Sequence, residues 1–98
     1  MLTHIVVWKY RGDIDGGTRE EHVARLRSLS SVVPGIRRFN VGFDILHLDR
    51  SYDTGLVAIF DDRAALDAYT VHPEHVAAAA FGRSISQHLV SVDFESES

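Results

Sequence analysis

Two stretches of this chain, Ile5-Val6-Val7-Trp8 and Leu56-Val57-Ala58-Ile59-Phe60, are apolar at consecutive positions and rich in β-branched and aromatic residues. Such residues favour strands, and in a strand neighbouring side chains point to opposite faces. A sheet holding both stretches is therefore apolar on two sides. A broad apolar face left in water acts as an association surface, so this sheet needs two covers. The chain has 98 residues, the size of one domain, and its helical patterns supply one cover only. A second copy is the simplest source of the other, which predicts a homodimer joined through the sheet face.

The remaining pattern places the other elements. Leu2 to Tyr10 alternates as a first strand, and Arg11 to Gly17 carries turn residues. Thr18 followed by Glu21 reads as a capping box for an amphipathic helix over 19–32, with Val23, Leu26, Leu29 and Val33 at helical spacing. Pro34-Gly35 ends it. Alternation returns from Ile36 to about His47, Leu48 to Ser51 makes a hairpin loop, and Tyr52 to Phe60 is a third strand. Asp61 or Asp62 caps a short helix bearing Ala65, Leu66 and Tyr69. The Val71-His72-Pro73 step breaks that helix, and a second helical piece runs through Ala77–Phe81 to close near Gly82. Ser86 to Phe94 is the last strand.

The order βαββαβ is that of an α+β, ferredoxin-like fold. It implies a four-stranded antiparallel sheet, first and third strands central, with two helices on one face. One domain is expected over residues 1–95, with a polar tail at 96–98.

Composition narrows the function classes. There is no cysteine, hence no disulfide framework, thiolate metal site or thiol nucleophile, which fits a reducing cytoplasm. A net charge of −4 without a Lys/Arg run argues against a nucleic-acid partner. No stretch reaches the ~20 apolar residues of a membrane span, and the N-terminus reads as a strand. Gly12 and Gly16-Gly17 are not followed by a phosphate-loop pattern, and no cofactor is expected.

What remains is histidine and tyrosine. Six histidines is a high count for this length, and His72-Pro73-Glu74-His75 is the densest cluster. On a helix starting at Pro73, His75 sits in the first turn, where exposed N–H groups favour its neutral, base-competent form. Tyr69 ends the preceding helical piece, so the break turns both residues toward one pocket. A phenol donor beside a neutral imidazole suits proton abstraction next to a carbonyl. Tyr69 and His75 are the candidate catalytic pair. His4, Val6, Trp8, His22, Val23, Leu26 and His72 are the expected ligand-lining residues, a few polar groups in apolar walls. The blander alternative is a non-catalytic dimerisation or ligand-binding protein whose histidines are structural. The i,i+3 spacing of His72 and His75 suits a metal, but the intervening proline and missing acidic partner leave no metal site expected. His47 and His88 fall near strand ends, facing solvent.

Several segments, in order, resemble the stress-response A/B barrel family, also called the dimeric α/β barrel. They are Thr3-His4-Ile5-Val6-Val7-Trp8-Lys9, Val33-Pro34-Gly35-Ile36, Asn40-Val41-Gly42, Tyr52-Asp53, Phe60-Asp61-Asp62, Leu66-Asp67-Ala68-Tyr69, His72-Pro73-Glu74-His75 and Val92-Asp93-Phe94. The resemblance implies a ferredoxin-like protomer whose sheet pairs with a second copy. It extends distantly to polyketide cyclases of the olivetolic acid type, which close a ring without a cofactor. By that similarity Tyr69 and His75 match the catalytic tyrosine and histidine, and His4 and His22 fall at pocket positions. Thr54 stands where those cyclases carry another histidine, His22 replaces an aromatic wall, and Trp8 narrows the cavity. The resemblance thus implies a small pocket suited to a different ligand.

Overall fold

In a computed structural model, which describes residues 1–97, the chain forms β1 (Leu2–Tyr10), α1 (Gly16–Arg27), β2 (Ile36–Phe43), β3 (Thr54–Phe60), α2 (Arg63–Val71), α3 (Pro73–Ile85) and β4 (Ser86–Glu95). The strands make one antiparallel sheet in the order β2-β3-β1-β4, so the first and third strands are central. The helices pack on one face of it, and α2 and α3 are the two halves of the helical region broken at His72-Pro73.

Alternation along β1 sorts the sheet into two faces. His4, Val6, Trp8 and Tyr10 point to the helices, and Thr3, Ile5, Val7 and Lys9 point away. On the helix side, Trp8, Tyr10, Leu26, Leu29, Leu56, Ala58, Phe60, Leu66 and Tyr69 form the buried core. Each large apolar side chain buried there contributes about 1.5–3 kcal/mol. On the far side, the register aligns Val57, Ile5 and Val92 in one row across three strands, and Ile59, Thr3 and Phe94 in the next. Val57, Val90, Val92 and Phe94 are all exposed on this face. The two-sided apolar pattern of the sequence is thus a real second apolar surface.

Local chemistry moves several element boundaries from their expected places. The first helix starts earlier, because Asp15, not Thr18, is the cap: its carboxylate accepts the Thr18 N–H at 2.7 Å. That bond, with the Thr18 hydroxyl adding to it, holds the Asp15 carboxyl below its usual range. Glu21 instead pairs with Arg25 one turn on, at 2.7 Å. The helix also ends earlier, its last turn tightening to a 3₁₀ segment over Ser28–Ser31. β2 stops at Phe43 rather than near His47, because Asp44 turns the chain by accepting the His47 N–H at 2.7 Å. Ile45 and Leu46, which continue the alternation, therefore stand in a solvent-exposed loop.

At the other end of the chain, Ser96 is tied to β1. Its N–H donates to the Met1 carbonyl at 2.8 Å, and its hydroxyl accepts from Thr3 at 2.6 Å. Ser98, the end of the expected tail, lies outside the described residues. Among the described residues no helix is long and apolar enough to cross a membrane.

Candidate functional site

Tyr69 lies in the last turn of α2 and His75 in the first turn of α3, on either side of the break. His72 makes that break a structured joint: its backbone N–H caps Tyr69 and its Nδ1 accepts the Glu74 N–H at 3.1 Å. The proline at the start of α3 costs no hydrogen bond there, because first-turn N–H groups have no helical partner. The joint folds the chain so that the Tyr69 and His75 rings lie in contact, centroids 4.4 Å apart.

Hydrogen bonding fixes the state of the imidazole. A carbonyl oxygen only accepts, so the 3.0 Å bond between His75 Nδ1 and Thr70 O places the proton on Nδ1. Nε2 then carries a free lone pair. Burial lowers the proton affinity of the ring below the ordinary imidazole value, and nearby His4 and Arg83 add to that; the Thr70 bond opposes it. Burial acts in the opposite sense on Tyr69, raising its phenol well above its usual pKa, so that it stays a donor. Tyr69 is almost fully buried, packed against Phe60, Phe39 and His4. Its hydroxyl makes no hydrogen bond to His75; the two rings are tilted by 48° against each other.

Beside them opens a cavity of about 150 Å³ between α3 and the β1–β4 half of the sheet. His4, Val6, Trp8, Leu26 and Leu56 line it with Tyr69 and His75, and Ala79, Arg83, Leu89 and Ser91 complete the wall. The space exists because Ala79 on the helix and Ser91 on the facing strand are too small to fill it. Trp8 is part of the wall and does not plug the opening. Across β1 and β4, His4 is paired with Asp93, and its Nδ1 donates to the Asp93 carboxylate at 2.5 Å.

Three of the expected lining residues lie elsewhere. Val23 belongs to the buried face of α1, and His72 is occupied in capping α3. His22 lies behind Trp8 with no exposure, its Nδ1 bonded to the Tyr10 hydroxyl at 2.8 Å, and that hydroxyl reaches Thr54 at 2.7 Å. Its Nε2 has no partner among the described residues. Burial pushes its pKa down to about 4. The backbone of Gly82 abuts it: a Cβ there would lie 2.8 Å from His22 Nε2. Conversely, Leu56, Ala79, Arg83, Leu89, Ser91 and Asp93 were not expected at the site. The β4 members depend on how β4 registers against β1, which no local pattern carries. Ala79 and Arg83 had a signal: they follow His75 at i+4 and i+8 on one helix face.

Among the described residues there is no group of three or more His, Asp or Glu side chains placed to hold a metal ion. His72 and His75 each commit a ring nitrogen to the backbone.

This is a ferredoxin-like α+β domain with a half-open apolar cavity edged by imidazole, phenol and guanidinium groups. The family model of the stress responsive A/B barrel domain matches residues 2–96, and the chain belongs to that family. It is 23% identical over 95 residues to olivetolic acid cyclase of Cannabis sativa, covering 95% of this chain and 94% of that one. Among solved structures it is similar to a dimeric ferredoxin-like protein of unknown function from Thermobifida fusca, with TM-score 0.87 and 26% identity over 95% of this chain and 88% of that one. A hydroxynitrile lyase from Passiflora edulis shares the fold, with TM-score 0.83 and 16% identity over 95% of this chain and 90% of that one.

Proposed function

We propose that this protein is a homodimer, joined through the outer sheet face, in which each protomer binds a small organic carbonyl compound and moves a proton on it without a cofactor. The observation that carries the reading is the Tyr69–His75 contact at the wall of an apolar cavity, with the Thr70 bond holding His75 in its basic tautomer. In the step proposed, Nε2 of His75 takes a proton from the carbon next to the carbonyl. The C–H electrons move into the carbon–carbon bond as the carbonyl oxygen becomes an enolate, which accepts a hydrogen bond from Tyr69. Return of the proton to another position is an isomerisation; attack of the enolate carbon on a second carbonyl is a cyclisation. The cyclase relative supports this chemistry. The dimer is supported by the exposed apolar rows of the sheet and by the dimeric neighbour.

A second reading, ligand binding without turnover, is favoured by one observation: Tyr69 is packed as a core aromatic with its hydroxyl free of His75.

Exchange of the methyl protons of acetophenone in D2O, followed by proton NMR, separates the two. Catalysis predicts exchange above the buffer rate, lost in His75→Ala and reduced tenfold or more in Tyr69→Phe, with the dimer intact by sedimentation. Exchange at the buffer rate in the wild type leaves ligand binding alone. Ile5→Asp or Val7→Asp is expected to split or unfold the dimer, and a folded wild-type monomer would overturn the assembly.

A further inference from the structure

We infer that the cavity selects a small carboxylate, an aryl or short-chain organic acid, and that the guanidinium of Arg83 is its counter-ion. The inference rests on the pocket reading above and narrows it to a substrate class.

Arg83 lies two turns beyond His75 on the same face of α3, with Ala79 between them, and all three line the cavity. Six of the ten Lys and Arg side chains lie within ion-pair distance of a carboxylate, Arg11 with Asp13 among them. Lys9 and Arg19 lie near Asp53, Arg25 pairs with Glu21, Arg37 with Asp61 and Arg63 with Asp67. The Arg83 guanidinium has neither a carboxylate nor a hydrogen-bond partner among the described residues, although the backbone carbonyl of Arg83 accepts the Ser86 N–H. Asp93, two residues beyond Ser91 on β4, is taken by His4. Among the described residues no carboxylate lines the cavity. An apolar space is thus edged by a cation with nothing to neutralise it.

Position in the last turn of a helix is favourable for an arginine, but that benefit is equally available with the side chain out in water. At the edge of an apolar cavity, the guanidinium offers a rigid fork that matches a carboxylate with two parallel bonds. On the opposite wall, Ser91 adds a hydroxyl. The size agrees: a dry apolar cavity of about 150 Å³ takes up a benzene ring. A ring against Val6, Leu26 and Leu56, with its carboxylate toward the open side, satisfies both halves of the site. The positive charge also reaches the reacting region, since Arg83 contributes, after burial and His4, to the lowered proton affinity of His75.

Trp8 is the single tryptophan and lines the cavity, so the protein carries its own reporter. Its emission, excited at long wavelength, is titrated with sodium benzoate and with benzamide, the neutral analogue of the same shape, at constant ionic strength. The expected result is saturable binding with benzoate at least tenfold tighter than benzamide. Arg83→Gln abolishes that preference and Arg83→Lys keeps part of it; Arg83 is exposed, so both variants are expected to fold. Equal affinities in the wild type, or a preference that survives Arg83→Gln, overturn the carboxylate assignment and leave the pocket standing. No binding of either compound, by emission and by NMR shifts, overturns the pocket and this assignment together.

Discussion

His75 and Thr70 are joined by a 3.0 Å hydrogen bond from the imidazole Nδ1–H to a backbone carbonyl, five residues back across the α2–α3 joint. The ring is thereby held by its own stretch of chain. Its orientation and tautomer do not depend on the sheet.

The first prediction concerns the titration of that ring. His75 gives up its proton more readily than a free imidazole, whose pKa is about 6.5. The facing groups are His4 on β1, Tyr69 on α2 and Arg83 on α3, and Thr70 O opposes the shift. A histidine-resolved NMR titration is expected to place its midpoint below about 6.5, and any base-dependent rate is expected to hold down to that lower pH. A midpoint at or above the ordinary value contradicts the buried-base description.

The second concerns acid stability. His22 has a folded-state pKa of about 4, so between about 6.5 and 4 the unfolded chain binds the proton and the folded one does not. Stability is therefore full above about 6.5 and falls as pH drops toward 4, by on the order of 3 kcal/mol. Urea midpoints at two pH values, one above and one inside this window, measure the loss. In His22→Gln the pH-dependent part of the loss is expected to shrink, even though the variant starts less stable for want of the Tyr10 bond.

A third prediction separates orientation from stability. The His4–Asp93 pair is partly exposed, with 40% of the Asp93 side chain accessible, so Asp93→Asn is expected to cost no more than about 1 kcal/mol. Its effect is expected in the His4 ring nitrogens instead. With the carboxylate gone, the preference for a proton on Nδ1 weakens, visible as a change in the two nitrogen-15 shifts. Unchanged shifts in the variant show that Asp93 does not orient His4.

Gly82→Ala supplies the fourth. A methyl at this position would lie 2.8 Å from His22 Nε2 and 3.0 Å from Trp8 Nε1. Alanine gains about 1 kcal/mol of helix propensity, but overpacking a filled core costs about 1–3 kcal/mol. Net destabilisation by denaturant, with a shifted Trp8 emission, is expected; a more stable variant would mean that the two rings yield easily.

Much of this architecture is legible from local pattern. β1 and β3 are unmistakable because their β-branched runs leave no helical alternative, and the His72-Pro73 break is visible because proline forbids what precedes it from continuing as helix. Asp15 was masked as the first cap by Gly16-Gly17, which dilute the opening turn of the helix. Ile45 extended an alternation that the Asp44 turn cuts. His22 illustrates a deeper limit. It sits on the buried stripe of α1 with Val23 and Leu26, but only Leu26 reaches the cavity, because Trp8 and Gly82 fill the space in front of His22. Whether a buried polar residue faces a hole or a neighbour depends on side chains distant in sequence. Arg83 and Ser91 line one cavity only because β4 returns beside β1.

The joint at His72-Pro73 divides the site into two jaws with separate mountings. One is a short cassette, residues 69–75, whose spacing is set by adjacent chain; the other is the sheet jaw, His4 and Asp93, set by strand pairing. The two meet where the Tyr69 and His4 rings pack edge to face, and Val6, Leu26, Leu56 and Ala79 line the cavity beside that contact. Exchanging those lining residues alters the gape of the jaws and leaves both gripping edges as they are. A cavity mounted this way can change in size without any change to the two edges that bound it.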